Sequence, residues 1–307
     1  MFPDAALYRN LASLHRAGVP WPEAMASAAG RTSQGQAASQ ALAGGTNLAE
    51  ALEPHVDPLD VALIRAGERS GSLESCLERL AMRYDEESRD TSARRTALTY
   101  PVILAHIAAL LLPLPDFIQG HFVRGLLWSG MVLLPLYAIL WLTRRRRVGP
   151  DDTGHPGTTA PKANGLYRNA VEEADARALT ALADGFDAGI PLNELLELSW
   201  KAGAGGRVAF DLYRGAPRVK SGDALGTIWQ AVPGEIAQRM DVAEKTGELS
   251  DTCRHTASRL RFDVEQRRKR LAAVLPVVTM LVIGGIIGFR VISFYVNAYS
   301  QALSMGP

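Results

Sequence analysis

Residues 66–73 read AGERSGSL, and residues 242–249 read VAEKTGEL. Both stretches place a glutamate three positions before a glycine and a leucine two positions after that glycine. Position 66 of the first stretch matches position 242 of the second, an offset of 176 in the numbering. A motif that recurs at such a distance predicts two copies of one structural unit in the chain.

Three further pairs of segments recur in the same order. Their offsets in the numbering are 171, 177 and 175, close to that of the first pair. Chance similarity between alanine-rich helices would not preserve both order and spacing, so the chain is predicted to be an internal duplication. The pairs are LASLHRAGVP at 11–20 with LADGFDAGIP at 182–191, GTNL at 45–48 with GDAL at 222–225, and YP at 100–101 with LP at 275–276.

Apolar residues between these segments follow a helical period. Leu73, Leu77, Leu80 and Tyr84 recur at a spacing of three or four, which is typical of one face of an amphipathic helix. No stretch combines sustained alternation of apolar and polar residues with β-branched enrichment, so no strand is predicted. The predicted fold class is all-α: a polytopic membrane protein with two duplicated cytoplasmic helical-bundle domains and three transmembrane helices.

The three transmembrane helices are predicted from three uncharged runs at 96–115, 125–143 and 271–289. Each has roughly 20 residues, enough at about 1.5 Å per residue to cross a hydrocarbon core of about 30 Å. A lipid bilayer is therefore an expected partner. Gly284 and Gly288, in the third run, form a GxxxG spacing that favours close approach of another helix.

Arginine clusters next to these runs predict their orientation. Cytoplasmic loops carry an excess of Lys and Arg, so the N-terminus is expected on the cytoplasmic side of the membrane and the C-terminus on the external side. The clusters are Arg94–Arg95, Arg144–Arg147 and the basic run at 267–270. The predicted segments are a first cytoplasmic domain at 1–95, transmembrane helices at 96–115 and 125–143, an external loop at 116–124, a basic stop and flexible linker at 144–165, a second cytoplasmic domain at 166–270, a third transmembrane helix at 271–292 and an external tail at 293–307.

Composition and motifs point away from several classes of function. The net charge of +1 over 307 residues gives no reason to expect nucleic-acid binding. The six histidines form no HExxH pair, and the chain lacks a GxxxxGK[ST] phosphate loop, so no cofactor, no metal ion and no enzymatic activity are expected. Gly203–Gly206 is expected to be a loop between helices. Cys76 and Cys253 are expected to be buried packing residues.

Glu68 and Glu244 occupy matching positions just before a glycine turn. Our structural hypothesis is that each carboxylate caps the N-terminus of the following helix, where it would accept backbone N–H bonds. Gly71 and Gly247 would supply a turn geometry that residues with a Cβ atom resist. The functional alternative is that each glutamate contacts a partner protein or a divalent cation.

Four motifs resemble the type II secretion system F domain, which occurs twice in secretion platform proteins and in their type IV pilus counterparts. They are an aGvP helix break, a GxxL turn, a GExsGxL element and a YP pair at the membrane entry. The second copy departs from the pattern by placing Ala243 where the first has Gly67. The residues carried over as structural or partner-contact candidates are Gly18, Pro20, Gly67, Glu68, Gly71, Gly189, Pro191, Glu244 and Gly247, with Tyr100, Pro101 and Pro276 at the membrane entry and Gly284 and Gly288 for helix packing.

The resemblance implies an inner-membrane assembly platform, itself a homo-oligomer. Such a platform couples a cytoplasmic secretion or pilus ATPase to the extraction and polymerisation of pilin-like subunits, alongside other inner-membrane assembly proteins. Secretion, pilus and tight-adherence systems are not separated by these motifs. The alternative is an oligomeric small transporter or permease subunit, although three spans are few for a substrate pathway and none carries a pair of acidic residues. A membrane-anchored enzyme would be a third possibility, but no active site is recognisable.

Overall fold

All regular elements among the described residues are helices, which confirms the all-α prediction. The computed structural model describes residues 3–30, 32–111, 113–114, 116, 122–123, 126–127, 129–130, 133–134, 137, 160–161 and 167–304. Most residues of the predicted external loop at 116–124 and of the predicted linker at 144–165 lie outside these ranges.

Within the described part of the chain, six helices form the first copy of the repeat, and the second copy follows the same order with a short 3₁₀ helix in fourth place. Matching elements begin at nearly the same spacing in the two copies, as the repeated motifs predict. The first copy contains α1 (Ala5–Arg16), α2 (Trp21–Ala28), α3 (Ser33–Ala43), α4 (Leu48–Leu52), α5 (Pro58–Ser70) and α6 (Leu73–Leu111). The second contains α7 (Arg168–Asp187), α8 (Leu192–Ala202), α9 (Arg207–Lys220), the 3₁₀ helix (Leu225–Thr227), α10 (Gly234–Thr246) and α11 (Leu249–Ser304).

The break between the first two helices of each copy has the predicted form. Gly18 and Gly189 adopt positive φ angles of 74° and 70°, a conformation that side chains with a Cβ atom disfavour. Pro20 and Pro191 then occupy the N-cap positions of α2 and α8. Since a proline cannot continue the preceding helix, this short sequence fixes both the end of one helix and the start of the next.

The chain divides into two compact units. The first contains the described residues of 1–90 and 148–264, so both copies of the helical bundle lie in one unit. Its core is aliphatic: Leu11, Met25 and Ile64 are fully buried in the first copy, as are Leu182 and Leu195 in the second. The second unit contains the described residues of 91–147 and 265–307.

In the second unit, the first two predicted transmembrane segments contact each other. The Ser129 hydroxyl donates a hydrogen bond to the Ala109 carbonyl oxygen at 2.9 Å. Nε2 of His106 lies 3.1 Å from the Tyr137 hydroxyl oxygen. Ala108 and Ala109 are buried, and small residues of this kind allow two helices to approach closely.

The long helices α6 and α11 run without interruption through the predicted domain boundaries at 95/96 and 270/271. Tyr100, Pro101 and Pro276 therefore lie inside helices rather than at helix starts, and their side chains are outside the described part of the structure. No glycine turn separates domain from span in either sequence, so nothing local ends the helix there. Within the described residues, no helix joins sufficient length to sufficient apolar character to cross a bilayer.

Candidate functional site

Glu68 and Glu244 each hold the GxxL turn of their own copy. The backbone N–H of Leu48, at the start of α4, donates to Glu68 Oε1 at 2.8 Å. In the second copy, the N–H groups of Leu225 and Gly226 donate to the two oxygens of Glu244 at 2.7 and 2.5 Å. The two motifs that recur together in the sequence are therefore joined by hydrogen bonds in both copies.

These carboxylates do cap a helix, but the prediction that they cap the following helix was wrong. Each bonds to the short fourth element of its copy, which precedes the glutamate in the chain. The reason is the direction of helical side chains, which point back toward the N-terminus of their own helix. Glu68 and Glu244 therefore point away from the glycine turn that ends α5 and α10.

The glycines of this element have two different roles. Gly71 and Gly247 adopt φ angles of 70° and 78° at the C-caps of α5 and α10, as expected for a left-handed helix end. Gly67 instead allows a close approach, since an added Cβ would lie 3.1 Å from the Cβ of Cys76. Ala243 is buried at the matching position. The second copy therefore has room for a methyl group that would be crowded in the first copy.

A buried polar cluster occupies the first copy. Asp60 on α5 is fully buried and accepts hydrogen bonds from the hydroxyls of Tyr8 and Tyr84 at 3.0 and 2.7 Å. Arg83 on α6 also pairs with this carboxylate. Burial and the adjacent Asp60 charge both raise the pKa of the Tyr8 hydroxyl above its usual value, so Tyr8 stays a donor. The cluster ties α1, α5 and α6 together.

The second copy replaces three of the four members of this cluster with aliphatic side chains and keeps an arginine, the exposed Arg259, at the position of Arg83. The repeat offsets place Leu179, Ile236 and Leu260 at the positions of Tyr8, Asp60 and Tyr84. Leu179 is fully buried, and Leu260 packs against the core. The two copies have therefore kept the helical framework while diverging in how the centre of the bundle is filled.

Buried carboxylates of the second copy bind backbone groups instead. Asp175 on α7 accepts the N–H of Val208 at 2.8 Å and pairs with Arg207, so it caps the start of α9. Asp211 on α9 accepts N–H bonds from residues 230–232 at 2.9 to 3.2 Å. Burial raises the pKa of both carboxyls above the usual aspartate range, although the bound donors act in the opposite direction.

An ion pair between the first and last helices of each copy has opposite polarity in the two copies. In the first, Arg16 on α1 pairs with Glu74 and, at 2.6 Å, with Glu78 on α6. In the second, Asp187 on α7 takes the place of Arg16 and binds Arg254 at 2.5 Å. Sequence reasoning did not find this pair, because its two members belong to helices at opposite ends of each copy.

Comparison with known proteins identifies the family of this duplicated chain. The family model for "Type II secretion system (T2SS), protein F" matches residues 7–114 and 178–296, which together make up more than half of the chain. The chain belongs to this family. The two matched ranges correspond to the two copies found in sequence and structure.

Similar proteins carry secretion and pilus names. A type 4 fimbrial assembly protein PilC of Pseudomonas putida is 28% identical, over 96% of this chain and 82% of its own length. The type IV pilus assembly protein TapC of Aeromonas hydrophila is 26% identical, over 96% of this chain and 80% of its own length. A type II secretion system protein F of Xanthomonas campestris pv. campestris is 28% identical, over 86% of this chain and 72% of its own length.

In this protein F family member, the two copies contact each other inside the first compact unit. Helix α5 of the first copy packs against α7 and α8 of the second. Arg261 on α11 pairs with Glu86 on α6 and donates to the Thr180 hydroxyl at 3.0 Å. Burial raises the pKa of the Asp184 carboxyl on α7, while the nearby Arg83 of the first copy lowers it. Basic groups of one copy thus face acidic groups of the other.

The remaining predicted residues have structural surroundings. Cys76 and Cys253 are buried free thiols, and burial raises the pKa of Cys76 to about 11 and that of Cys253 to about 12. Residues 203–206 connect α8 to α9, as predicted for a loop between helices. Gly284 and Gly288 on α11 are exposed, and a Cβ at either would meet no described atom within 4 Å. No group of three or more potential metal ligands occurs within the described residues.

The sequence did contain a signal for the buried aspartates. Asp60 lies four positions before the buried Ile64, and Asp175 lies four positions before the buried Leu179. Both therefore fall on the apolar stripe of an amphipathic helix, where a charged residue must find a partner or lose its charge. The stripe predicts their burial, but not which donors satisfy them.

Proposed function

We propose that this chain is an inner-membrane assembly platform of a type II secretion or type IV pilus machine. The observation that carries the proposal is the family match in both copies of the repeat, together with relatives named for fimbrial assembly, pilus assembly and type II secretion. The proposed partners are a cytoplasmic ATPase, pilin-like subunits and other inner-membrane assembly proteins.

Exposure of large apolar side chains in the second unit supports a membrane location. Soluble proteins rarely expose large contiguous apolar surfaces, whereas a bilayer covers them favourably. The proposed spans are 96–115, 125–143 and 271–292, with the N-terminus cytoplasmic and the C-terminus external. Exposed members of these segments are Ile103, Leu110, Leu126, Leu127, Leu134, Met280, Leu281, Phe289 and Ile292.

The first unit has features suited to passing on a mechanical movement. Its helices are fixed by buried polar contacts such as Asp60 with Tyr84, and the two copies pack directly on each other through α5, α7 and α8. Packed helices move as rigid bodies. We propose that ATPase movement reaches the second unit through this paired bundle and lifts each pilin-like subunit from the membrane.

Deletion and co-purification test this proposal together. The full chain with a C-terminal tag is solubilised from native membranes, and the proteins that accompany it are identified by mass spectrometry. The expected result is a secretion ATPase with pilin-like subunits, and loss of filaments or secretion in the deletion strain that the plasmid-borne gene restores. Unchanged assembly in the deletion strain would overturn the platform role.

A further inference from the structure

The contact between the two copies joins two different surfaces of the repeat. Helix α5 packs on the second copy, and its Ala66 and Arg69 line a cleft between the two copies. The second copy contributes its helix break at 188–191 and Glu194 at the start of α8. We call these the α5 face and the second break. Because the surfaces differ, the contact is heterologous, and a heterologous contact leaves one unused surface of each kind.

Both unused surfaces are open in this chain. The repeat offset of 176 places Val242 and Lys245 of α10 where the α5 face has Ala66 and Arg69, and Val242 is 57% exposed. We call this the α10 face. The offset of 171 places residues 17–20 and Glu23, which we call the first break, where the second break has 188–191 and Glu194. In the first break, Val19 is half-buried, whereas its counterpart Ile190 is 7% exposed.

The two open surfaces are complementary in the same way as the two covered ones. Ala66 and Ile190 line the same cleft, and the open pair would set Val242 against Val19, a change that nearly conserves side-chain volume. Arg69 and Glu194 both line this cleft, one from each copy. The open pair would set Lys245 against Glu23, which preserves the sign of both charges.

We infer that the α10 face of one chain binds the first break of a second copy of this chain, repeating between molecules the contact that joins the two copies within one. The result is a head-to-tail association. Such contacts generate a ring if the rotation between subunits closes and an open array if it does not. The inference assigns the two surfaces that meet between chains, and this assignment does not depend on the proposed platform role.

Polar substitutions on α10 make this contact weaker than the one inside the chain. Leu59 and Leu63 of α5 are buried, whereas α10 has Glu235 and Arg239 at these positions, paired at 2.8 Å and exposed. Less apolar surface is therefore available for burial, and apolar burial is the main favourable term in association. The association should be reversible and dependent on concentration.

Cross-linking of paired cysteine variants tests the inference in native membranes. Val19→Cys chains with one tag are co-expressed with Val242→Cys chains with another, and a bismaleimide with a flexible spacer is added. We expect cross-links between the two differently tagged chains about tenfold more often than between like chains. The control is one chain with Ala66→Cys and Ile190→Cys, which should cross-link within itself. The native Cys76 and Cys253 are each 1% exposed and should not react.

Two outcomes of this experiment overturn the inference. One is the absence of the mixed cross-link when the Ala66→Cys, Ile190→Cys control reacts. The other is an equally strong cross-link between two Val242→Cys chains, because it would show that two α10 faces meet symmetrically.

Oligomer size gives a second readout without cysteines. Val242→Glu should weaken self-association of the full chain in nanodiscs by about tenfold, since the contact would bury a carboxylate against apolar side chains. Met82→Glu is the matched control, because Met82 has the same 57% exposure and belongs to neither surface. Mass photometry over a range of concentrations compares the two variants. An unchanged oligomer in Val242→Glu would overturn the inference.

Discussion

Buried carboxylates are the residues that most distinguish the two copies. Asp60 is satisfied by side chains, two tyrosine hydroxyls and a guanidinium, while Asp211 is satisfied by consecutive backbone N–H groups. The difference matters for substitution. A side-chain cluster can be replaced as a set by apolar groups, whereas backbone donors remain in place whatever residue faces them.

Replacing the Asp60 cluster piece by piece should be worse than replacing it whole. Asp60→Ile alone should lower the free energy of unfolding by about 3–5 kcal/mol, because two buried hydroxyls and Arg83 lose their acceptor. Adding Tyr8→Leu and Tyr84→Leu should recover part of this loss, since the triple variant copies the apolar centre of the second copy. Urea unfolding of the solubilised full chain, followed by circular dichroism, measures both. A triple variant less stable than Asp60→Ile would contradict this account.

Asp184 should make stability depend on pH in a defined direction. Burial raises the folded-state pKa of Asp184 above its ordinary value of 3.8, with Arg83, Arg254 and Arg79 opposing. The stability contributed by a raised carboxyl is fully present below the unfolded pKa and is lost as pH rises through the folded pKa. Asp184→Asn resembles the protonated form, so its stability relative to the parent should improve as pH rises from about 3.8. Thermal unfolding from pH 4 to 8 checks this, and a difference independent of pH would contradict it.

At the scale of elements, Glu68 and Glu244 attach the short fourth element of each copy to the fifth. Neither α4 nor the 3₁₀ helix is long enough to be stable alone, since isolated helices under about 12 residues are marginal in water. The glutamates satisfy N–H groups that the start of such an element leaves unpaired. Gly226 allows the second bond in the second copy, because a Cβ there would lie 2.9 Å from Glu244 Oε2.

Removal of the two capping carboxylates should therefore lower the free energy of unfolding by unequal amounts. Glu244→Ala should lower the free energy of unfolding by about 1–3 kcal/mol, and Glu68→Ala by less, because the first leaves two N–H groups unpaired and the second leaves one. The exposed Glu248→Ala is the control and should change stability by less than about 0.5 kcal/mol. Denaturant unfolding compares the three variants. A Glu68→Ala chain of parental stability that fails in assembly would favour the partner-contact alternative instead.

At the scale of the whole molecule, the two units present surfaces of different character. Salt bridges and other polar side chains cover much of the first unit, while large apolar side chains such as Leu110 and Leu281 are exposed on the second. The proposed membrane location accounts for this difference, because lipid takes the place of protein as the partner of the exposed side chains.

Labelling of single introduced cysteines tests this division. In inverted membrane vesicles, Lys201→Cys should react with a membrane-impermeant maleimide, because Lys201 is exposed on α8 of the proposed cytoplasmic unit. Leu281→Cys should stay unlabelled until detergent or denaturant is added. In intact cells, neither should react. Equal labelling of the two variants in vesicles would contradict the proposed arrangement.

Features that depend on a few neighbouring residues could be read from the sequence. The helix breaks at Gly18 and Gly189 and the left-handed turns at Gly71 and Gly247 follow from local backbone sterics, and the structure confirms them. The all-α class and the duplication follow from helical periodicity and from repeated motifs, and the family match supports both. Such features can be predicted without knowing which residues pack against them, because adjacent atoms decide the backbone conformation at these positions.

Tertiary structure alone decided which groups meet. Sequence placed Glu68 beside a helix end but not against Leu48, which belongs to the preceding helix. Nothing in the sequence indicated that Asp60 accepts hydrogen bonds from Tyr8 and Tyr84. Nor did it indicate that the α5 face is covered by the second copy while Val242 on the α10 face is exposed. The physical reason is that a side chain's direction follows from its own helix, whereas its partner depends on how separate helices pack, and short-range periodicity does not encode that packing.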